Sequence, residues 1–204
     1  MDQTAARASL IDRIRRRVWM RYTMRNGGRD DPRRFDMAYR IPDPWGMSAP
    51  GEQHRFEATS AIISREFGRV GSLLEVACGE GHQSEHLAAA CSRLYGIDIS
   101  QRAVERARAR VPSARLAVGD VFSLPWEDAP PRFDLVVACE MLYCVPDPAP
   151  TLARMSELGR ACLVTFFAPA ARHVAPALEG IPGLQRTWFS HDGTAWLAAW
   201  WRND

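Results

Sequence analysis

The chain has 204 residues, 47% of them hydrophobic, and a formal charge of +2 at neutral pH. That length suits one domain with a substantial core. No apolar run is long enough to cross a bilayer, and the polar first residues lack an apolar signal segment, so neither a membrane span nor secretion is expected. Five cysteines, Cys78, Cys91, Cys139, Cys144 and Cys162, lie in apolar segments without a CxxC pair. This fits buried, reduced thiols in a cytoplasmic protein.

Charge is unevenly spread. Every basic side chain is arginine, as in proteins from GC-rich bacterial genomes, and residues 1–40 hold 11 Arg against 5 Asp. Residues 1–34 therefore read as a basic arm, and residues 35–204 as the main domain, with 35–68 as a lid and first helix. Within the arm, Leu10, Ile11, Ile14, Val18 and Tyr22 recur at helical spacing over 4–25. Such a helix could dock its apolar stripe on the domain, meet an anionic surface, or pack on a second subunit.

After a glycine-rich break, residues 35–46 combine aromatics with two prolines and read as irregular but ordered. Glu52 to Phe67 follows as a helix with Phe56, Ile62, Ile63 and Phe67 inward, stopped by Gly68. Strands are expected at Ser72–Ala77, Leu94–Ile99, Ala114–Val118, Phe133–Cys139 and Ala161–Phe167, separated by helices after the glycine loop, after Ser100 and from Thr151 to Leu158. Leu184–Ser190 and Ala195–Arg202 flank His191-Asp192-Gly193-Thr194, a hairpin signal. The pattern implies an α/β fold with a seven-stranded, mostly parallel sheet and a C-terminal antiparallel pair.

The informative stretch is Glu75-Val76-Ala77-Cys78-Gly79-Glu80-Gly81 and, further on, Asp98. Glycines let the backbone approach a ligand where a Cβ would clash. Asp98 ends the second strand, where a carboxylate can take both ribose hydroxyls. The dinucleotide pattern is incomplete, since Ser84 stands at the third glycine position. Glu75 would repel a pyrophosphate and suits a ligand with a cationic end. S-adenosylmethionine, with a sulfonium, an amino group and no phosphate, meets that requirement.

The stretch resembles motif I of the class I S-adenosylmethionine-dependent methyltransferases, with Ala77 where the first glycine is usual. The resemblance implies a Rossmann-like fold and a cofactor set comprising Glu75, Ala77, Gly79, Gly81, Asp98 and the adjacent Ile99. It also implies Asp120 for the adenine amino group and the backbone of Val121 for the neighbouring ring nitrogen. The segment before motif I lies over the cleft in that family, which puts Trp45 and Arg55 near the methionine tail or acceptor, along with Tyr39, Glu52 and His54. Asp134, at the start of the fourth strand, is structural in such proteins.

In open parallel sheets ligands sit beyond the strand ends at the topological switch, here strands one and four. Glu140 and Tyr143 follow the fourth strand and are the candidate catalytic pair, with Glu140 also in the cofactor set. An alcohol acceptor would need a base, for which His54, Glu140 and His191 are candidates. His82-Gln83-Ser84-Glu85-His86 spells a zinc-protease signature, but such a site needs a further acidic ligand and a cleft built around its helix, and this helix leaves the glycine loop, so no metal is expected.

Four segments, Asp43-Pro44-Trp45, Cys91-Ser92-Arg93-Leu94, Arg102 to Ala107 and Glu140-Met141-Leu142-Tyr143, look like the nodulation protein S family. Members of that family N-methylate a glucosamine amine in a chitin oligosaccharide. The resemblance implies a small-molecule or oligosaccharide acceptor, most simply an amino sugar. Alternatives are O-methylation of a sugar or secondary metabolite, or nucleic-acid methylation steered by the basic arm. Glu-Met-Leu-Tyr after strand four, instead of a base-methylation signature, disfavours nucleic acid.

Overall fold

The computed structural model describes Val18 and residues 32–203. Apart from Val18, the helix expected over 4–25 and the break after it lie outside the described residues. Helix α1 (Pro32–Ala38) opens the described chain where the sequence pattern suggests an irregular segment. Its sequence, Pro-Arg-Arg-Phe-Asp-Met-Ala, has no glycine or proline after the first position to interrupt a short helix.

Helix α2 (Pro50–Phe67) also begins on proline and carries Glu52 in its first turn, where a negative charge suits the helix dipole. It buries Phe56, Thr59, Ile62 and Ile63 at helical spacing. Gly68 ends it with φ of 67° and donates its N–H to Ser64 O. The α/β alternation comes next: β1 (Val70–Val76), α3 (His82–Ala90), β2 (Cys91–Asp98), α4 (Gln101–Arg110), β3 (Arg115–Val118), β4 (Leu135–Cys139), α5 (Pro148–Leu158) and β5 (Ala161–Phe167). A short α6 (Ala171–Leu178) precedes β6 (Gln185–His191) and β7 (Thr194–Arg202). Ser100 caps α4 by accepting Ala103 N–H, and Asp147 caps α5 by accepting Ala149 N–H.

The seven strands form one sheet in the order β3-β2-β1-β4-β5-β7-β6. The first five are parallel, and β7 runs antiparallel to both β5 and β6. This is the expected mostly parallel sheet with a closing antiparallel pair. Central strand β4 is apolar because both its faces are covered. Leu73, Leu135 and Leu163 pack with Ile62, Ile63 and Leu87 of α2 and α3. On the other face Leu74, Val136 and Val164 meet Leu152, Met155, Val174 and Trp201 of α5, α6 and β7. Asp134 is structural, as expected: its carboxylate accepts Ser72 N–H at 2.8 Å and the Ser72 hydroxyl at 3.1 Å, clipping β4 to β1.

Candidate active site

Strands β1 and β4 are neighbours, but the chain leaves them toward opposite edges of the sheet, so their carboxyl ends open a crevice. A cavity of about 550 Å³ lies there. Both strands run into a non-glycine residue with positive φ, Ala77 at 60° and Glu140 at 57°. Left-handed backbone at such residues is uncommon and persists where the surroundings over-determine it. The glycine loop shows why side chains are excluded. A Cβ on Gly79 would lie 2.9 Å from the Tyr39 hydroxyl oxygen.

At one part of the wall Arg55 is only 2% exposed, so its charge needs fixed partners. Nε donates to Glu52 at 2.8 Å, and Nη1 donates to Gln83 Oε1 at 3.1 Å. The Gln83 Nε2 is buried without a partner, and Gln83 lines the cavity. A guanidinium beside an unpaired amide N–H group is a receptor for a carboxylate. Glu75 also lines the cavity and is buried, with the Ser84 hydroxyl donating to it. Burial pushes its carboxyl up to about 8, opposed by the Ser84 bond and by Arg55, and reinforced by Asp98. A cation in the cavity would relieve that penalty.

Asp98 accepts Gly79 N–H on one oxygen and Ser100 N–H on the other, each at 2.9 Å. Burial pushes it up to about 6, against these backbone donors. The spare lone pairs of such an anchored carboxylate suit a vicinal diol. Asp120 uses one oxygen to accept Phe122 and Ser123 N–H at 2.8 and 2.9 Å, closing its own turn. Ile99 and Phe122 are 39% and 58% exposed and supply apolar walls beside it.

Glu140 is fixed from two sides. Its Oε2 accepts the Tyr143 hydroxyl at 3.1 Å and Phe167 N–H at 3.2 Å, while its Oε1 is buried without a partner. Burial pushes the carboxyl up to about 7, opposed by Arg55 and the two donors and aided by Glu52. Burial likewise drives the Tyr143 hydroxyl well above its ordinary range, so it stays a proton donor to Glu140.

Eleven of the twelve expected site residues line this one cavity: Trp45, Arg55, Glu75, Ala77, Gly79, Asp98, Ile99, Asp120, Val121, Glu140 and Tyr143. Gly81 does not. It starts α3 with φ of 79°, and a Cβ there would lie 3.1 Å from Ala107 Cα, so it serves helix packing. His54 and His191 do not line the cavity either; their rings stack on each other at 4.9 Å. That removes them as bases for the cavity. His82 and His86 also part company. His82 lies by Glu80 and Arg110, and His86 packs against Phe56. Gln83 is not evident from the sequence, because its spacing in the zinc-like run says nothing of its contact with Arg55.

Residues 74–161 match the sequence model of a family described as "Methyltransferase domain". That match spans 88 of the chain's 204 residues. The chain is 31% identical over 129 residues to nodulation protein S of Bradyrhizobium diazoefficiens, covering 63% of this chain and 59% of that protein. It is 34% identical over 127 residues to the ubiquinone biosynthesis O-methyltransferase of Aromatoleum aromaticum, covering 60% and 54%. The chain thus spans little more than half the length of these relatives. Among solved structures, N-methyltransferase NodS from Bradyrhizobium japonicum WM9 in complex with S-adenosyl-L-homocysteine superposes with a TM-score of 0.68. That match has 24% identity and covers 84% of this chain and 97% of that one. The likeness establishes the fold, the Rossmann-like class I methyltransferase fold that the motifs implied. The donor set fits S-adenosylmethionine: an anchored carboxylate for a ribose, an under-compensated one for a cation, and Arg55 with Gln83 for a carboxylate.

Proposed function

We propose that this chain is a methyltransferase that binds S-adenosylmethionine and methylates a small-molecule or oligosaccharide acceptor. One observation carries the reading: Arg55 with Gln83, Glu75, Asp98, Asp120 and Glu140 all border a single cavity at the switch between β1 and β4. Bound there, S-adenosylmethionine supplies an electrophilic methyl group on a sulfonium. In this reading Arg55 and Gln83 hold its carboxylate, Glu75 its amino group, Asp98 its ribose, and Asp120 with Val121 its adenine. Ala77 and Gly79 let the backbone approach it, Ile99 packs beside Asp98, and Trp45 roofs the cleft. Much of the rate comes from alignment of the acceptor with that methyl.

Glu140 lines the cavity, and its Oε1, which has no hydrogen-bond partner, is the oxygen left to receive the proton that the nucleophile must lose. Tyr143 and Phe167 N–H keep its other oxygen fixed. A carboxylate whose pKa lies near 7 matches the proton of an ammonium far better than that of an alcohol. This favours N-methylation, and an amino sugar or its oligosaccharide is the first acceptor class to try, in keeping with the relatives named nodulation protein S. The relatives named as ubiquinone biosynthesis O-methyltransferases support the second reading, an oxygen acceptor, for which a phenol of lower pKa is the accessible case. Incubation with methyl-labelled S-adenosylmethionine and a panel of amino sugars, chitin oligosaccharides, sugars and phenols tests both. Label on an amine is the expected result. Label confined to a phenol establishes the second reading, and no transfer to any member, with the cofactor bound, overturns the proposed acceptor classes.

A further inference from the structure

The cavity's roof comes from the segment before α2, chiefly Tyr39 and Trp45, whose rings meet edge to face with centroids 6.5 Å apart. The segment is tied at two places: Asp36 accepts the Ser100 hydroxyl at 2.8 Å and Arg102 Nε at 3.2 Å, and nearer the two rings Arg106 of α4 holds the backbone. Arg106 Nη2 donates to Tyr39 O at 2.8 Å, and Nη1 donates to Ile41 O at 3.1 Å and to the Glu80 carboxylate. Glu80, inside the glycine loop, accepts Asp43 N–H at 2.8 Å on its other oxygen. Asp43 in turn shapes the roof itself. Its φ is 46°, and its carboxylate accepts Met47 N–H at 2.6 Å, closing the turn that carries Trp45. Also around Glu80 are the Asp43 carboxylate, the His82 ring, 3.6 Å away, and Arg110, whose Nε donates to Glu80 O at 3.0 Å.

We propose that Arg106 and Glu80 are positioning residues: together they fasten the roof to the glycine loop and so hold Tyr39 and Trp45 over the bound cofactor. The inference rests on the cofactor reading above. Three features single the pair out. Both ends of the latch are backbone groups of the roof, so side-chain changes there would leave it intact. The Glu80 carboxylate sits between Gly79 and Gly81, so the loop that approaches the ligand also carries the anchor. Arg106 reaches three acceptors with a planar fork, which a lysine cannot reproduce.

The test compares wild type with Arg106→Met, Arg106→Lys and Glu80→Gln. Trypsin cleavage after exposed Arg40 is followed by mass spectrometry with and without S-adenosylhomocysteine, and the affinity for that product is measured by calorimetry on protein shown to be folded. The expected result is faster cleavage at Arg40, loss of protection by the product, and a Kd raised about tenfold in both arginine variants, as for hydrogen bonds to a charged group. A merely structural role would lower Tm and leave Kd and the Arg40 cleavage of folded protein unmoved, and that result overturns the proposal. So would rescue by Arg106→Lys. Should the arginine variants not fold, Glu80→Gln carries the test, since its amide oxygen still accepts Asp43 N–H while the ion pair is gone. Wild type that fails to bind the product removes the cofactor reading, whereas the ligand-free cleavage comparison still decides the latch.

Discussion

Replacing Glu75 with Gln should stabilise the free protein and weaken the cofactor at once. Glu75 is buried, and its carboxyl is pushed up to about 8 chiefly by that burial. A raised pKa in the folded state means stability present below the unfolded value and lost as pH rises toward the folded one. At pH 7 the difference from the ordinary value of 4.5 amounts to about 3 kcal/mol of unfavourable linkage. Gln keeps an oxygen for the Ser84 hydroxyl and removes the ionisation. Urea unfolding of the free protein should therefore show wild-type stability falling from pH 5 to pH 8, with the variant flatter and more stable at pH 8. Binding moves the other way. Removing one partner of a buried charge pair costs about 2–5 kcal/mol, so calorimetry should show S-adenosylmethionine weakened about 100-fold. Wild-type affinity should rise from pH 6 to pH 8, with close to one proton released per cofactor at pH 7 in buffers of different ionisation enthalpy. A variant that binds as tightly as wild type, or whose stability keeps the same pH slope, would refute the assignment of Glu75 to the cofactor's cationic end.

Glu140→Gln should lower kcat/KM for an amine acceptor about 10²- to 10⁴-fold and abolish an acid limb near pH 7, while cofactor binding changes less; Tyr143→Phe, which removes one donor to Glu140, should cost about tenfold and shift that limb upward. Asp98→Asn should weaken S-adenosylhomocysteine and adenosine alike by about tenfold, whereas Arg55→Met should weaken S-adenosylhomocysteine and spare adenosine, as competition binding would show. Ala77→Gly should raise stability in urea by about 1 kcal/mol, because Ala77 has φ of 60° and glycine accepts that conformation without a Cβ penalty.

The mostly parallel sheet, with strands one and four at its switch, and the gathering of the strand-end carboxylates were legible because both depend on local pattern. Apolar runs of strand length ending in Glu75, Asp98, Asp120 and Glu140 mark the carboxyl ends of four parallel strands, and those ends share one edge of the sheet. Ala77 was legible too, since the smallest chiral side chain stands where the backbone turns left-handed. The misplaced features were long-range. His54 and His191 are 137 positions apart, and no periodicity reveals that α2 and the β6–β7 hairpin bring their rings together rather than into the cavity. The close contact of Gly81 with Ala107 on the next helix is likewise invisible to local pattern. The roof is tied by Arg106 to carbonyls more than 60 residues earlier, so α1 and the latch left only a proline, an aspartate and two aromatics in the sequence.

Calorimetric titration of the purified chain with S-adenosylhomocysteine tests the central claim most directly, because it needs no acceptor. One site per chain with micromolar affinity, weakened about 100-fold in Glu75→Gln, is the predicted result. Folded protein that gives no heat of binding at millimolar product would contradict it.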